Sequence, residues 1–213
     1  MKLIAPLLVV AALVVAGCGG GPRTTQTREV AAFDRLEVDS SIDVDVVPGD
    51  ANKVLVSAGE NVIDHVETAS RDGVLHLSIR DHGLVIGPDP YDDARVQVSS
   101  AALQGVLVQG SSDLALARID ADELAVEIEG SGSIEAAGTV GNLIASIQGS
   151  GDADLRDLQA RTATVSVQGS GDASVNVKDQ LDVSVQGSGD VSYRGNPRVS
   201  QHVEGSGDVR AED

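Results

Sequence analysis

The chain has one cysteine, no tryptophan and only three aromatic residues, Phe33, Tyr91 and Tyr193, in 213 positions. A single thiol excludes an internal disulfide framework and any cysteine-built metal site, so no covalent staple holds the fold. So few rings exclude the stacking platforms on which single-stranded nucleic acids bind, and disfavour a deep sugar cleft. Cations are scarce too: 15 Lys and Arg stand against 33 Asp and Glu, a formal charge of −18. That field repels nucleic acid and anionic lipid surfaces, whereas a cationic partner or bound metal ions suit it. Histidines 65, 76, 82 and 202 are too few and too scattered for a metal centre, and the group His76, Asp81 and His82 is only a weak zinc suggestion. His76 stands between Leu75 and Leu77, on the solvent side of a strand.

No apolar run is long enough to cross a bilayer, which takes about 20 residues. The longest, residues 3–16, follows Lys2 and ends in Val15-Ala16-Gly17-Cys18. A short apolar stretch closing on small residues is an export signal. Its ending resembles the lipobox of bacterial lipoproteins, which implies cleavage after residue 17 and a lipid on Cys18. Loss of residues 1–17 takes away Lys2 and moves the charge from −18 to −19. Residues 18–29, with three glycines and Pro22 following Cys18, read as a flexible tether. Gly19 rather than Asp after the cysteine implies, by the same resemblance, outer-membrane sorting in an organism with two membranes.

What the chain has in quantity is repetition. Gln-Gly-Ser-Gly-Asp occurs at 148–152, 168–172 and 186–190, with relaxed copies at 109–113, 129–133 and 204–208. The copies start 20, 19, 20, 18 and 18 residues apart, and a fixed period of this size marks a stacked repeat. Apolar residues alternate on both sides of each turn: Val106/Val108, Val126/Ile128, Ala145/Ile147, Val165/Val167 and Val183/Val185 before it, Leu114/Leu116, Ile134/Ala136, Val175/Val177 and Val191/Tyr193 after it. Period two with β-branched residues is strand, not helix. Copies in the same phase suit parallel stacking, because an antiparallel meander would set mirror-related copies side by side. The expected fold is therefore an all-β parallel β-helix of 18–20-residue coils with Gly-Ser-Gly-Asp turns. Gly149, Gly151, Gly169, Gly171, Gly187 and Gly189 are its turn formers.

Residues 101–213 are the repetitive part and residues 30–100 an irregular region that caps one end of the stack. Strand-like alternation there covers 36–38, 42–47, 53–57, 74–79 and 95–99, with a degenerate turn at 39–41, a short helical stretch at 61–66 and a loop at 87–90. At the other end Arg210, Glu212 and Asp213 charge the exposed edge.

With its lipobox, the segment Phe33-Asp34-Arg35-Leu36-Glu37-Val38 and the Gly-Ser-Gly-Asp repeats, the chain resembles over residues 30–209 the bacterial family called putative auto-transporter adhesin, head GIN domain. The resemblance implies a right-handed helix and an envelope-exposed protein, and it transfers no catalytic residue.

The repeated acids, Asp113, Asp152, Asp172, Asp190 and Asp208, share one phase, with Ser133 interrupting the row. Stacked carboxylates about 5 Å apart repel by about 1–3 kcal/mol per pair. Two readings relieve this: each Asp turns to water and bonds its own turn, or Asp152, Asp172, Asp190 and Asp208 hold calcium with turn carbonyls. No other cofactor is called for. Ser150, Ser170 and Ser188 lack the spacing of a nucleophile elbow, and the repeats leave no loop length for a cleft. The expectation is a non-catalytic interaction or adhesion-type module, lipid-anchored in the envelope, with an unknown protein or glycan partner and no nucleic acid. The alternatives are a calcium-binding repeat module, a scaffold that self-associates through its coil ends, and a polysaccharide-processing enzyme.

Overall fold

A strand of 18 residues would be about 60 Å long if straight, at about 3.3 Å per residue, so the long strands of this chain must bend. The computed structural model describes residues 12–15, 23–49, 51–80 and 94–212. Cys18, most of the leader, His82 and the 87–90 loop lie outside the described residues. In chain order the strands are β1 Ala12–Val15, β2 Arg23–Glu29, β3 Arg35–Ser40, β4 Asp43–Pro48, β5 Lys53–Gly59, β6 Val66–Arg71, β7 Val74–Ile79, β8 Arg95–Ser100 and β9 Gly105–Gly110. The bent strands follow: β10 Asp113–Gly130, β11 Ser133–Gly149, β12 Asp152–Gly169 and β13 Ala173–Gly187. Three short ones close the series, β14 Val191–Arg194, β15 Arg198–Gly205 and β16 Val209–Ala211. The only helical element among the described residues is a 3-10 turn, Ile63–His65, inside the stretch expected to be helical.

From β9 onward each coil lies parallel on the one before it, and residues a coil apart are in register, as in Val126, Ala145, Val165 and Val183. This is the parallel β-solenoid that the repeat period called for. One coil, β12, shows how the interior is filled. Ala153, Leu155, Leu158, Ala160, Ala163, Val165 and Val167 point inward and are buried. The inward positions advance by two except from 155 to 158 and from 160 to 163, where the chain turns a corner and the pairing to β13 slips. In neighbouring coils the corner falls on a positive φ at Arg118 or Gly138. Each fully buried Val or Leu contributes about 1.5–3 kcal/mol, so the columns of Val, Leu, Ile and Ala hold the stack without a cross-link.

The N-terminal third is threaded out of order. β3 and β4 make one coil around the turn at Ser40 and Ser41. The chain then leaves through β5, β6 and β7, and returns to lay β7 beside β3 and β8 beside β4. β9 and β10 then stack on the other side of the same coil. Residues 30–100 thus supply two coils as well as the cap. The cap itself is antiparallel, β6 on β7 and β2 on β5 on β8.

Residues 23–29 correct the tether expected over 18–29, because they form β2 and pair with β5 from Arg23↔Gly59 to Glu29↔Lys53. Their polar sequence hid the strand. Its one buried residue is Arg28, whose guanidinium donates to the carbonyls of Val66 and Ile63 at 2.5 and 3.0 Å. Burial pulls the guanidinium below the ordinary arginine range, and the nearby Asp64 carboxylate opposes that shift. β1, within the expected leader, pairs antiparallel with β2, so cleavage after residue 17 leaves β2 as the edge of its sheet.

Candidate interaction face

The turn is the first place where chemistry repeats. The first glycine of each copy has a left-handed backbone, φ +133° at Gly169, that other residues avoid. A Cβ on the second glycine would meet the coil below: at Gly171 it would lie 2.0 Å from the carbonyl oxygen of Gly151. Both glycines are therefore required once coils stack directly. The copy at 109–113 has Ser112 in the second position, and the turn below it is Ser40-Ser41 rather than Gly-Ser-Gly. Ser112 is fully buried and its hydroxyl donates to the Ser40 carbonyl at 2.8 Å.

Asp152, Asp172, Asp190 and Asp208 stand one above another on the surface. Oδ1 of Asp152 accepts the backbone N–H of Asp172 at 2.9 Å, Oδ1 of Asp172 that of Asp190 at 2.8 Å, and Oδ1 of Asp190 that of Asp208 at 2.9 Å. Asp152, Asp172 and Asp190 thus each cap the turn of the following coil, and the charge-assisted bonds offset the repulsion along the column. Arg210 sits 3.4 Å from the second oxygen of Asp190. At the break in the row, Ser133 donates to Asp113 at 2.5 Å, doing with a hydroxyl what the next coils do with an amide. Among the described residues no three His, Cys, Asp or Glu side chains gather in a geometry fit for a metal ion. His76 lies on the solvent face and pairs with Glu37 at 3.1 Å.

The second repeating surface was not singled out in the sequence. Just before each turn, the outward residues of β11, β12 and β13 form a lattice: Ile144, Ser146 and Gln148; Thr164, Ser166 and Gln168; Asp182, Ser184 and Gln186. The coil spacing is about 4.8 Å, and outward neighbours along a strand are about 6.6 Å apart. Among these nine side chains there is one charge, in a molecule of −18. The glutamines are exposed, the serines half-buried, and Ile144 is 39% exposed. Toward the cap the lattice runs into a shallow depression of about 230 Å³, floored by Gly105, Val106 and Ala125 and edged by Arg35, Glu37 and Glu127. The elements flanking the lattice are acidic: Glu127 and Glu129 lie in β10, Asp152 and Asp172 in the turns. The signal was present as Ser-x-Gln before the three Gly-Ser-Gly copies at 149–151, 169–171 and 187–189, but there it reads as the polar half of an alternation.

A model of the family described as putative auto-transporter adhesin, head GIN domain, matches residues 32–197. Among solved structures, the chain is similar to a putative adhesin from Bacteroides fragilis, with a TM-score of 0.72, 20% identity, and coverage of 89% of this chain and 97% of that one. It is also similar to a putative adhesin from Parabacteroides distasonis, with a TM-score of 0.60, 24% identity, and coverage of 91% and 98%. A protein from the same organism described as a putative lipid binding protein matches with a TM-score of 0.54, 20% identity, and coverage of 90% and 97%. No curated protein matches the chain. At these identities the structural likeness speaks for the shared fold.

Proposed function

The chain belongs to the family described as putative auto-transporter adhesin, head GIN domain, and from that premise we propose that it is a lipid-anchored envelope module making non-catalytic contacts through one flat face of its solenoid. The observation that carries this reading is the uncharged lattice of Ser146, Ser166, Ser184, Gln148, Gln168 and Gln186. Short hydroxyls and amides offer donors and acceptors at a fixed repeat, and burying them costs far less than burying carboxylates. A partner with its own regular hydroxyl or amide groups, a glycan chain or an extended polypeptide, matches such a surface. The turns between coils are only a few residues long, so the face stays flat and suits broad contact rather than enclosure of a small substrate. Cys18, at the end of the lipobox, is the anchor, and the outer membrane is the destination where the cell has two.

The test is adhesion of cells displaying the full chain to host-surface glycans and matrix proteins, compared with cells displaying Ser166→Glu together with Gln168→Glu. Equal surface amounts with adhesion reduced at least about tenfold, the effect of two charges buried without partners, support the face. Unchanged adhesion sinks it. Cys18→Ala in the same cells should move the protein out of the membrane fraction.

A further inference from the structure

β15 pairs with β13 on one side, and among the described residues no strand pairs with its other side. That edge leaves a row of backbone N–H and C=O groups open, which is a template for another strand. The register places Val199 over Leu181, Gln201 over Val183 and Val203 over Val185, so all three point along the inner side of the solenoid. Leu181 and Val185 are fully buried, but Val199 and Val203 are 37% and 36% exposed. At the opposite end the Val66 carbonyl of β6 accepts from Arg28.

The segment Arg198-Val199-Ser200-Gln201-His202-Val203-Glu204 is symmetric in character about Gln201, apolar with apolar and cation with anion. We propose that this coil end docks a second copy of itself, β15 lying antiparallel on β15 about a two-fold axis through Gln201. Val199 then faces the partner's Val203 on the inner side, continuing the two cores into one another. On the outer side Arg198 faces the partner's Glu204, and Ser200 faces the partner's His202. Each pairing occurs twice, because a two-fold interface is self-complementary. Apolar and opposite-charge pairs set directly across an antiparallel ladder are the ones that stabilise it. Other registers are worse. A slip of one residue turns the valines away from each other's face, and a slip of two in either direction sets a valine opposite Gln201. Among the described residues Arg198 has no ion pair, and Glu204 touches only His202, at 3.0 Å, on a highly exposed pair. The contact closes at two copies, because a two-fold pairing uses the one open side of β15 in each.

The test is the mass of the full chain in mild detergent by light scattering across a dilution series, for the parent, Arg198→Glu, Glu204→Arg and the double variant. The three variants carry their changes on exposed side chains, so at concentrations where every protein is a single chain their melting temperatures should agree with the parent's. The parent should run as two chains. Each single change sets like charges opposite one another twice and should weaken the dimer by about tenfold, and the double variant should restore it. A parent that is a single chain throughout overturns the proposal and leaves the edge to a foreign strand. A dimer indifferent to both single changes overturns it as well, by placing the contact on another surface.

Discussion

At the scale of single residues, the aspartates and glycines of the turn do separate jobs. Asp172 accepts the N–H of Asp190, and its own N–H donates to Asp152. Asp172→Ala removes one accepted bond and should lower stability by about 0.5–1.5 kcal/mol. Asp172→Asn keeps an acceptor oxygen in the same place and removes a charge from the column, so it should be neutral or stabilising; urea melts of the two variants decide between them. If the ladder alone holds the turns, those melts coincide in calcium and in chelator. A second carboxylate answers to pH. The Arg156 guanidinium grips Asp154, Nε donating to Oδ1 at 2.8 Å with a further contact to Oδ2, and holds its carboxyl below the usual range. A group whose pKa is lower in the folded state stabilises above the unfolded value, about 3.9 for Asp, and loses that contribution as pH falls through the folded value. Stability of the parent should therefore decline in acid below about pH 4, with a shallower decline in Asp154→Asn. The turn glycines and the aspartate row were legible as sequence because they repeat. The bond each carboxylate makes to the next coil was not, since it joins residues 18 or 20 positions apart.

At the scale of elements, the period-two segments next to the turns announced their strands, and Val165, Val167, Val183 and Val185 are buried as that alternation requires. The middle of each coil did not announce itself, because alternation breaks at the corners, and Leu158 and Ala160 belong to neither flanking run. β2 was illegible for another reason. Its sequence, Arg-Thr-Thr-Gln-Thr-Arg-Glu, has no apolar alternation, and what makes it a strand is the open edge of β5. Arg28 then fastens β2 to the 3-10 turn and to β6 with a charge removed from water. Arg28→Met keeps most of the packed stem and deletes the donors, leaving the Val66 and Ile63 carbonyls short of partners. The change should cost about 1–3 kcal/mol, and hydrogen exchange should show the cap, residues 53–71, opening before the coils from β10 onward. Uniform loss of protection along the whole chain would mean that the cap and the solenoid unfold together.

At the scale of the molecule, the parallel stacking was legible from the constant repeat, whereas the threading of β3 and β4 between strands that come later was not, because strand order leaves no mark on composition. The uncharged lattice emerges only when three coils lie side by side, each contributing residues that look ordinary alone. The acidic balance of the chain keeps adventitious anionic partners away and makes the lattice the least repelling part of the surface. The account turns on contact being made there rather than on the acidic faces. The most direct measurement is the affinity of the parent chain for its adhesion target as salt is raised from about 0.01 M to about 1 M, over which the screening length falls from about 30 Å to about 3 Å. Contact through Ser146, Ser166, Ser184 and their glutamines predicts an affinity nearly independent of salt; a steep loss with salt would contradict it and assign binding to the carboxylates and a cationic partner.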